Sequence, residues 1–158
     1  MSLDHIEHIL SSLRVIPHLA ALAFAYLLAL PIGWDRERHE RSAGIRTFPL
    51  VAIASCGFIQ ATEALTSSSP EAQARIVEGL ITGIGFIGGG AIIKDGGSVQ
   101  GTATAAGLWA TGAIGVAVGL GSYDVAFVVT LFTIFTFRGL SPLKKQKRPG
   151  DDIGPPEA

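Results

Sequence analysis

The chain has 158 residues, 48% hydrophobic and only 16% charged, with a formal net charge of −1. That is one domain's worth of chain. Its apolar segments are too many for its polar surface to coat a soluble globule. The single cysteine, Cys56, excludes an intrachain disulfide and reads as a packed small hydrophobe.

Taken in order, residues 1–14 put Leu3, Ile6, Leu10 and Leu13 on one helical face, which predicts a short helix on a membrane surface. Asp4, His5, Glu7 and His8 are read as its solvated face, because nothing nearby completes a metal shell. Asp4 and Glu7 stand where a signal peptide would carry basic residues, so no cleaved leader is expected. A first span is predicted over 15–34, with Pro17 in its first turn, Pro31 able to kink its last, and Trp34 in an interfacial belt. The charged loop Asp35–Arg46 follows, then a second span over 47–65 with Glu63 near its end. TSSSPEAQ reads as an exposed linker. Spans three and four are predicted over 76–93 and 102–119, joined by a tight Lys94-Asp95-Gly96-Gly97 turn. Between Asp95 and Asp124 lie 28 residues without a formal charge, more than the roughly 20 that cross a bilayer. A fifth span, 123–137, is β-branched and rich in phenylalanine, and the basic tail 141–158 is expected to be disordered and cytoplasmic. The predicted fold is therefore all-α, a polytopic transmembrane bundle of about five spans.

The chain is organised around the stretch from Gly79 to Gly121, which holds 14 of its 20 glycines. Glycine in a soluble helix costs about 1 kcal/mol against alanine. Within hydrocarbon it instead lets helix backbones approach closely. Ala103, Gly107, Thr111, Gly115 and Gly119 recur at every fourth position and form one smooth ridge. Gly79 and Gly83 begin a similar row, and Gly85, Gly88 and Gly89 extend the set expected to pack helices. Leu108 lies off the ridge, so truncating it is expected to matter less than enlarging Gly107 or Gly115.

Orientation follows from the basic residues. Arg36, Arg38, Arg41 and Arg46 in the first loop, Lys94 in the third, and Arg138, Lys144, Lys145, Lys147 and Arg148 at the end make 10 of the 12. Only Arg14 and Arg75 fall on the other side. The bias towards positive charge inside predicts the N-terminus out and the C-terminus in.

Gly83-x-Gly85-x-x-Gly88 matches a dinucleotide fingerprint in spelling only, since it lies inside an apolar span and no acid follows at the required distance. Glu78 is a carboxylate within a predicted span, where burial at mid-bilayer costs about 2.5–3.5 kcal/mol. It is read as part of an outer network with Arg75 and Glu63, with an ion or proton entry site as the alternative. Asp35, Arg36, Glu37, Arg46, Lys94 and Asp95 gather at the inner surface as functional candidates. Asp35 and Asp95 have the chemistry to hold a hydrated Mg²⁺, although charges that only orient the chain explain them as well.

Gly33-Trp-Asp35-Arg36-Glu37, Ala43-Gly44-Ile45-Arg46-Thr47, Gly83-Ile-Gly85-Phe86-Ile-Gly88-Gly89-Gly90 and Val99-Gln-Gly101 before Thr104-Ala-Ala and Trp109 resemble, as an ordered set, the MgtC/SapB family. The resemblance covers roughly 19–137. It implies a multi-pass protein of the bacterial inner membrane, associated with growth in low magnesium and with survival inside host cells. Its best-known members act as regulators, including of the F-type ATP synthase. Virulence-type members carry a C-terminal ACT-like domain, to which nothing in these residues corresponds, and Glu78 departs from the small or apolar residue expected there.

No nucleophile–base pair or cofactor loop is evident, so neither enzymatic activity nor a cofactor is expected. The function expected is modulation of membrane ion homeostasis or of a membrane partner during magnesium limitation or acid stress. A cation transporter or channel and a structural subunit of a larger complex are the alternatives. The bilayer, a second copy or another membrane protein are the expected partners, and nucleic acid is not.

Overall fold

A computed structural model describes residues 15–38, 43–95 and 98–140. The expected surface helix, the basic tail and the Gly96-Gly97 half of the expected turn lie outside them, while Lys94 and Asp95, read as the other half of that turn, belong to a strand. The elements are α1 (Val15–Arg38), α2 (Thr47–Ala61), the single turn α3 (Glu63–Thr66), α4 (Pro70–Gly90), strands β1 (Ile93–Asp95) and β2 (Ser98–Gln100), α5 (Thr102–Gly119) and α6 (Tyr123–Gly139). Val15–Arg38, Thr47–Leu65 and Thr102–Gly119 are each long and apolar enough to cross a membrane. α4 carries Glu71, Arg75 and Glu78 in its first half, and α6 has 17 residues, about 25 Å at 1.5 Å each.

α5 is the hub: it packs against α1, α2, α4 and α6. Its ridge explains how. A Cβ on Gly115 would run into the Ala52 carbonyl oxygen, and one on Gly119 would lie 2.7 Å from Ile59 Cβ and 3.1 Å from the Cys56 carbonyl oxygen. One on Gly107 would sit 2.7 Å from the Phe137 ring. The Thr111 hydroxyl, fully buried between these glycines, donates to the Gly107 carbonyl at 2.8 Å and so leaves no unmet polar group in the interface. α1 brings its own row of small residues, Ala21, Ala25 and Ala29, all buried. Ile32, Phe48, Leu108, Ile114 and Val118 fill the space between.

Several details depart from the sequence reading. Leu108, off the ridge, is 1% exposed and belongs to the core. Gly79, Gly83, Gly85 and Gly89 have nothing within 4 Å of a Cβ position, so they pack against no helix of this chain. Of the expected set on α4, only Gly88 makes a close approach, its Cβ position lying 3.3 Å from the Ala105 carbonyl oxygen. α1 continues to Arg38, so Asp35, Arg36 and Glu37 belong to the helix rather than to a loop leaving it. α2 stops at Ala61, where Thr62 turns its hydroxyl back to the carbonyls of Phe58 and Ile59 at 2.9 and 3.0 Å. α4 starts ahead of the apolar run, within the stretch read as a linker. There Ser69 caps it by accepting from the Ala72 N–H at 3.2 Å, and Pro70 opens its first turn.

The bend between α4 and α5 is a small antiparallel ladder, with Ile93 opposite Gln100, Lys94 opposite Val99 and Asp95 opposite Ser98. It is the one non-helical element among the described residues. Gly101 closes it at φ +86°, a backbone state that disfavours side chains, and a Cβ there would overlap the Ala91 carbonyl. Gly101→Ala is expected to destabilise the protein by about 2 kcal/mol, since the left-handed conformation alone costs roughly 1–2. Thermal unfolding in detergent measures this, and an unchanged midpoint would mean that the hairpin is free to adopt another turn.

Candidate functional site

The charged candidates gather where α1 and α6 end and α5 begins. Asp35 and Arg36, on adjacent positions of α1, are 5% and 6% exposed. Arg138, in the last turn of α6, directs its Nε to Asp35 Oδ1 at 3.4 Å. Arg36 lies over the Phe137 ring, 4.5 Å from its centre, and its NH2 donates to Thr104 Oγ1 at 3.4 Å. Thr104, in the first turn of α5, is itself buried. Two adjacent residues of α1 therefore hold two other helices: α6 through the Asp35–Arg138 ion pair and the Arg36–Phe137 cation–π contact, and α5 through the Arg36–Thr104 hydrogen bond.

Local chemistry holds this end of α1 in place. A Cβ on Gly33 would lie 3.0 Å from both the Gly44 carbonyl oxygen and Ile45 Cα, so the chain beyond the loop packs directly on the helix backbone. Gly44 similarly leaves room for the Glu37 carboxylate, whose Oε2 accepts from the Ile45 N–H at 3.1 Å. The Gly44 carbonyl then accepts from the N–H groups of Thr47 and Phe48, at 3.0 and 3.1 Å, and starts α2. Gly33, Glu37 and Gly44 thus act as one clasp that returns the chain from α1 to α2.

Arg46 is exposed at the start of α2, and Lys94 is exposed on β1 just before α5. Both stand at this same end of the bundle, as does the backbone of Asp95, whose side chain lies outside the description. Glu78 does not join them. It is exposed and shares a surface with Leu120, at the far end of α5 from Thr104. With 18 residues in α5, the two ends are about 25 Å apart. Among the described residues, no three of His, Cys, Asp and Glu come together.

Arg138, Thr104 and Phe137 are the members that sequence reasoning missed. Arg138 counted only as a charge orienting the chain. Its position next to Phe137, as the basic residue in the last turn of a helix whose other charge, Asp124, lies in the first turn, was the available signal.

The family model for MgtC matches residues 22–146. Protein MgtC of Brucella abortus (strain 2308) is 40% identical over 124 residues, covering 78% of this chain and 51% of that protein. Protein MgtC of Salmonella typhimurium (strain 14028s) is 38% identical over 118 residues, covering 75% and 50%. The chain spans about half the length of the curated relatives it matches. No solved structure matches it. The matched region takes in both halves of the Gly33–Glu37–Gly44 clasp and every member of the Asp35–Arg36–Thr104–Arg138 cluster, and the chain belongs to the MgtC family.

Proposed function

We propose that this protein is a non-enzymatic, multi-pass component of a bacterial inner membrane, modulating ion homeostasis or a membrane partner when magnesium is scarce or the surroundings are acid. The observation that carries this reading is the cluster of buried Asp35, Arg36 and Thr104, with the exposed Arg138 closing on Asp35. Buried ionic groups seldom add stability over apolar packing of the same volume. Their placement where three helices meet suits a junction whose geometry a partner or an ionic change can bias. Family membership supports the membrane setting, and the magnesium and stress setting comes from the resemblance. Transport is the weaker reading: a cation path joining Asp35 to Glu78 would have to pass the apolar layer of Leu108, Ile114 and Val118.

Five crossings with the N-terminus outside follow from the placement of the basic residues. Reporters fused after Arg41 and after Pro142 are expected on the cytoplasmic side, and one after Ser68 on the other. A Pro142 fusion reporting from outside would overturn the five-span arrangement. The functional reading is tested by growth in low magnesium of a strain lacking the protein, complemented by wild type or variants, with membrane abundance followed in parallel. Liposomes containing the purified protein alone are expected to show no Mg²⁺ flux, and a protein-dependent flux would replace modulation by transport.

A further inference from the structure

α2 and α4 pack on α5 but scarcely on each other, and between them runs a groove of about 1020 Å³. We propose that this groove is a phospholipid site, taking acyl chain along its length and the headgroup phosphate at Arg46. The proposal rests on α2 crossing the bilayer and not on the modulator reading above.

The walls have the chemistry of a hydrocarbon site. Leu50, Phe58, Leu80 and Ile87 face it. Of its three hydroxyl-bearing wall residues, Thr47 stands next to Arg46 at the mouth, while Ser55 and Thr62 donate to the Val51 and Phe58 carbonyls of their own helix, at 2.8 and 2.9 Å, so an acyl chain along the walls strands neither of those two hydroxyls. The α4 wall leaves room because Gly79 and Gly83 line it with open space at their Cβ positions. Lining residues run from Arg46 to Thr62 along α2. At 1.5 Å per residue that is about 24 Å, longer than the roughly 15 Å half-thickness of bilayer hydrocarbon that one acyl chain fills.

The mouth supplies the charge. Arg46 is exposed there, and the positive end of the α2 dipole lies behind it. The neighbouring carboxylate, Glu37, is turned to the Ile45 N–H. A guanidinium at the end of an apolar groove fits a phosphate carrying hydrocarbon chains. A second copy's helix fits less well: about 10 Å across and 30 Å long, it displaces roughly 2400 Å³, more than twice the groove.

The test uses the full chain, purified in detergent, stripped of lipid and mixed with dioleoyl phosphatidylglycerol, with retained lipid read by native mass spectrometry. Dioleoylglycerol, with the same chains and no phosphate, and inorganic phosphate, with no chains, are the comparison probes. Wild type is expected to retain phosphatidylglycerol, and to lose it to neither comparison probe in competition. Arg46→Gln should lower retention about tenfold, the value of one charge-assisted phosphate contact. Gly83→Leu and Ala54→Phe, filling the groove from opposite walls at positions where the chain leaves space, should abolish retention while keeping the wild-type melting temperature. Retention unchanged in Arg46→Gln, or in both groove-filling variants, would overturn the proposal. So would loss of a protein dimer in those variants with lipid retention intact, which would assign the groove to a second copy. Because binding is read in detergent, its failure leaves the complementation result standing, and the reverse holds too.

Discussion

Gly115→Leu is expected to be the most disruptive single substitution in the bundle. The position is buried at the contact between α5 and α2, the most extensive helix pair in the structure. What a new side chain would meet is backbone: the Ala52 carbonyl oxygen lies within overlap distance of the Cβ position, and Ser55 Cβ is 2.8 Å away. A flexible side chain can swing aside, whereas a carbonyl in the middle of α2 moves only with its helix. The expected cost is therefore about 3 kcal/mol or more, at or above the top of the usual range for an overfilled core. The measurement is thermal unfolding in detergent, with Gly89→Leu as the matched control. Gly89 has open space around it, and its variant should stay within about 0.5 kcal/mol of wild type. Equal midpoints for the two variants would show that close packing on α5 is not what holds the bundle. Leu108→Ala is not a neutral control, because Leu108 is buried and truncating a core leucine costs roughly 2–5 kcal/mol.

Asp35→Asn is expected to abolish complementation in low magnesium while leaving the protein in the membrane at near wild-type abundance. Asp35 is the carboxylate that Arg138 meets at 3.4 Å, and it sits beside the buried Arg36. Neutralising it leaves two guanidinium groups at one helix junction. Arg138, with its side chain 57% exposed, can turn to water. Arg36 cannot do so without leaving the Phe137 ring and Thr104. The loss of stability should be about 2 kcal/mol, below the roughly 3–5 kcal/mol for breaking a fully buried pair, because one partner is already hydrated. Arg138→Gln removes only the exposed partner and should act in the same direction but more weakly. Arg46→Gln, at an exposed position, should spare folding altogether. Full complementation by Asp35→Asn would return the cluster to the role of charges that merely orient the chain.

The two substitutions mark different depths to which the sequence can be read. The ridge on α5 was legible because helical periodicity is local: small residues at every fourth position must share a face, whatever that face meets. The same logic applied to Gly79, Gly83, Gly85 and Gly89 found small residues but no neighbour, since periodicity specifies a face and not its partner. The bounds of α5 were equally plain, set by an uncharged run between the hairpin and a glycine turn. The end of α1 was less so. Charges normally mark the edge of a span, yet Gly33 and Gly44 let the returning chain lie against the helix, which carries Asp35 and Arg36 inside the bundle.

By itself the sequence determined the apolar spans, the rows of small residues and the lopsided distribution of basic charge, all of which depend on spacing along the chain. Only the tertiary structure decided that Asp35 meets Arg138, 103 residues away, and that Arg36 meets Thr104, 68 residues away. Such contacts depend on how helices are rotated and stacked about α5. That arrangement is set by the fit of side chains against glycine and alanine surfaces across the whole bundle, a property no local window of sequence contains.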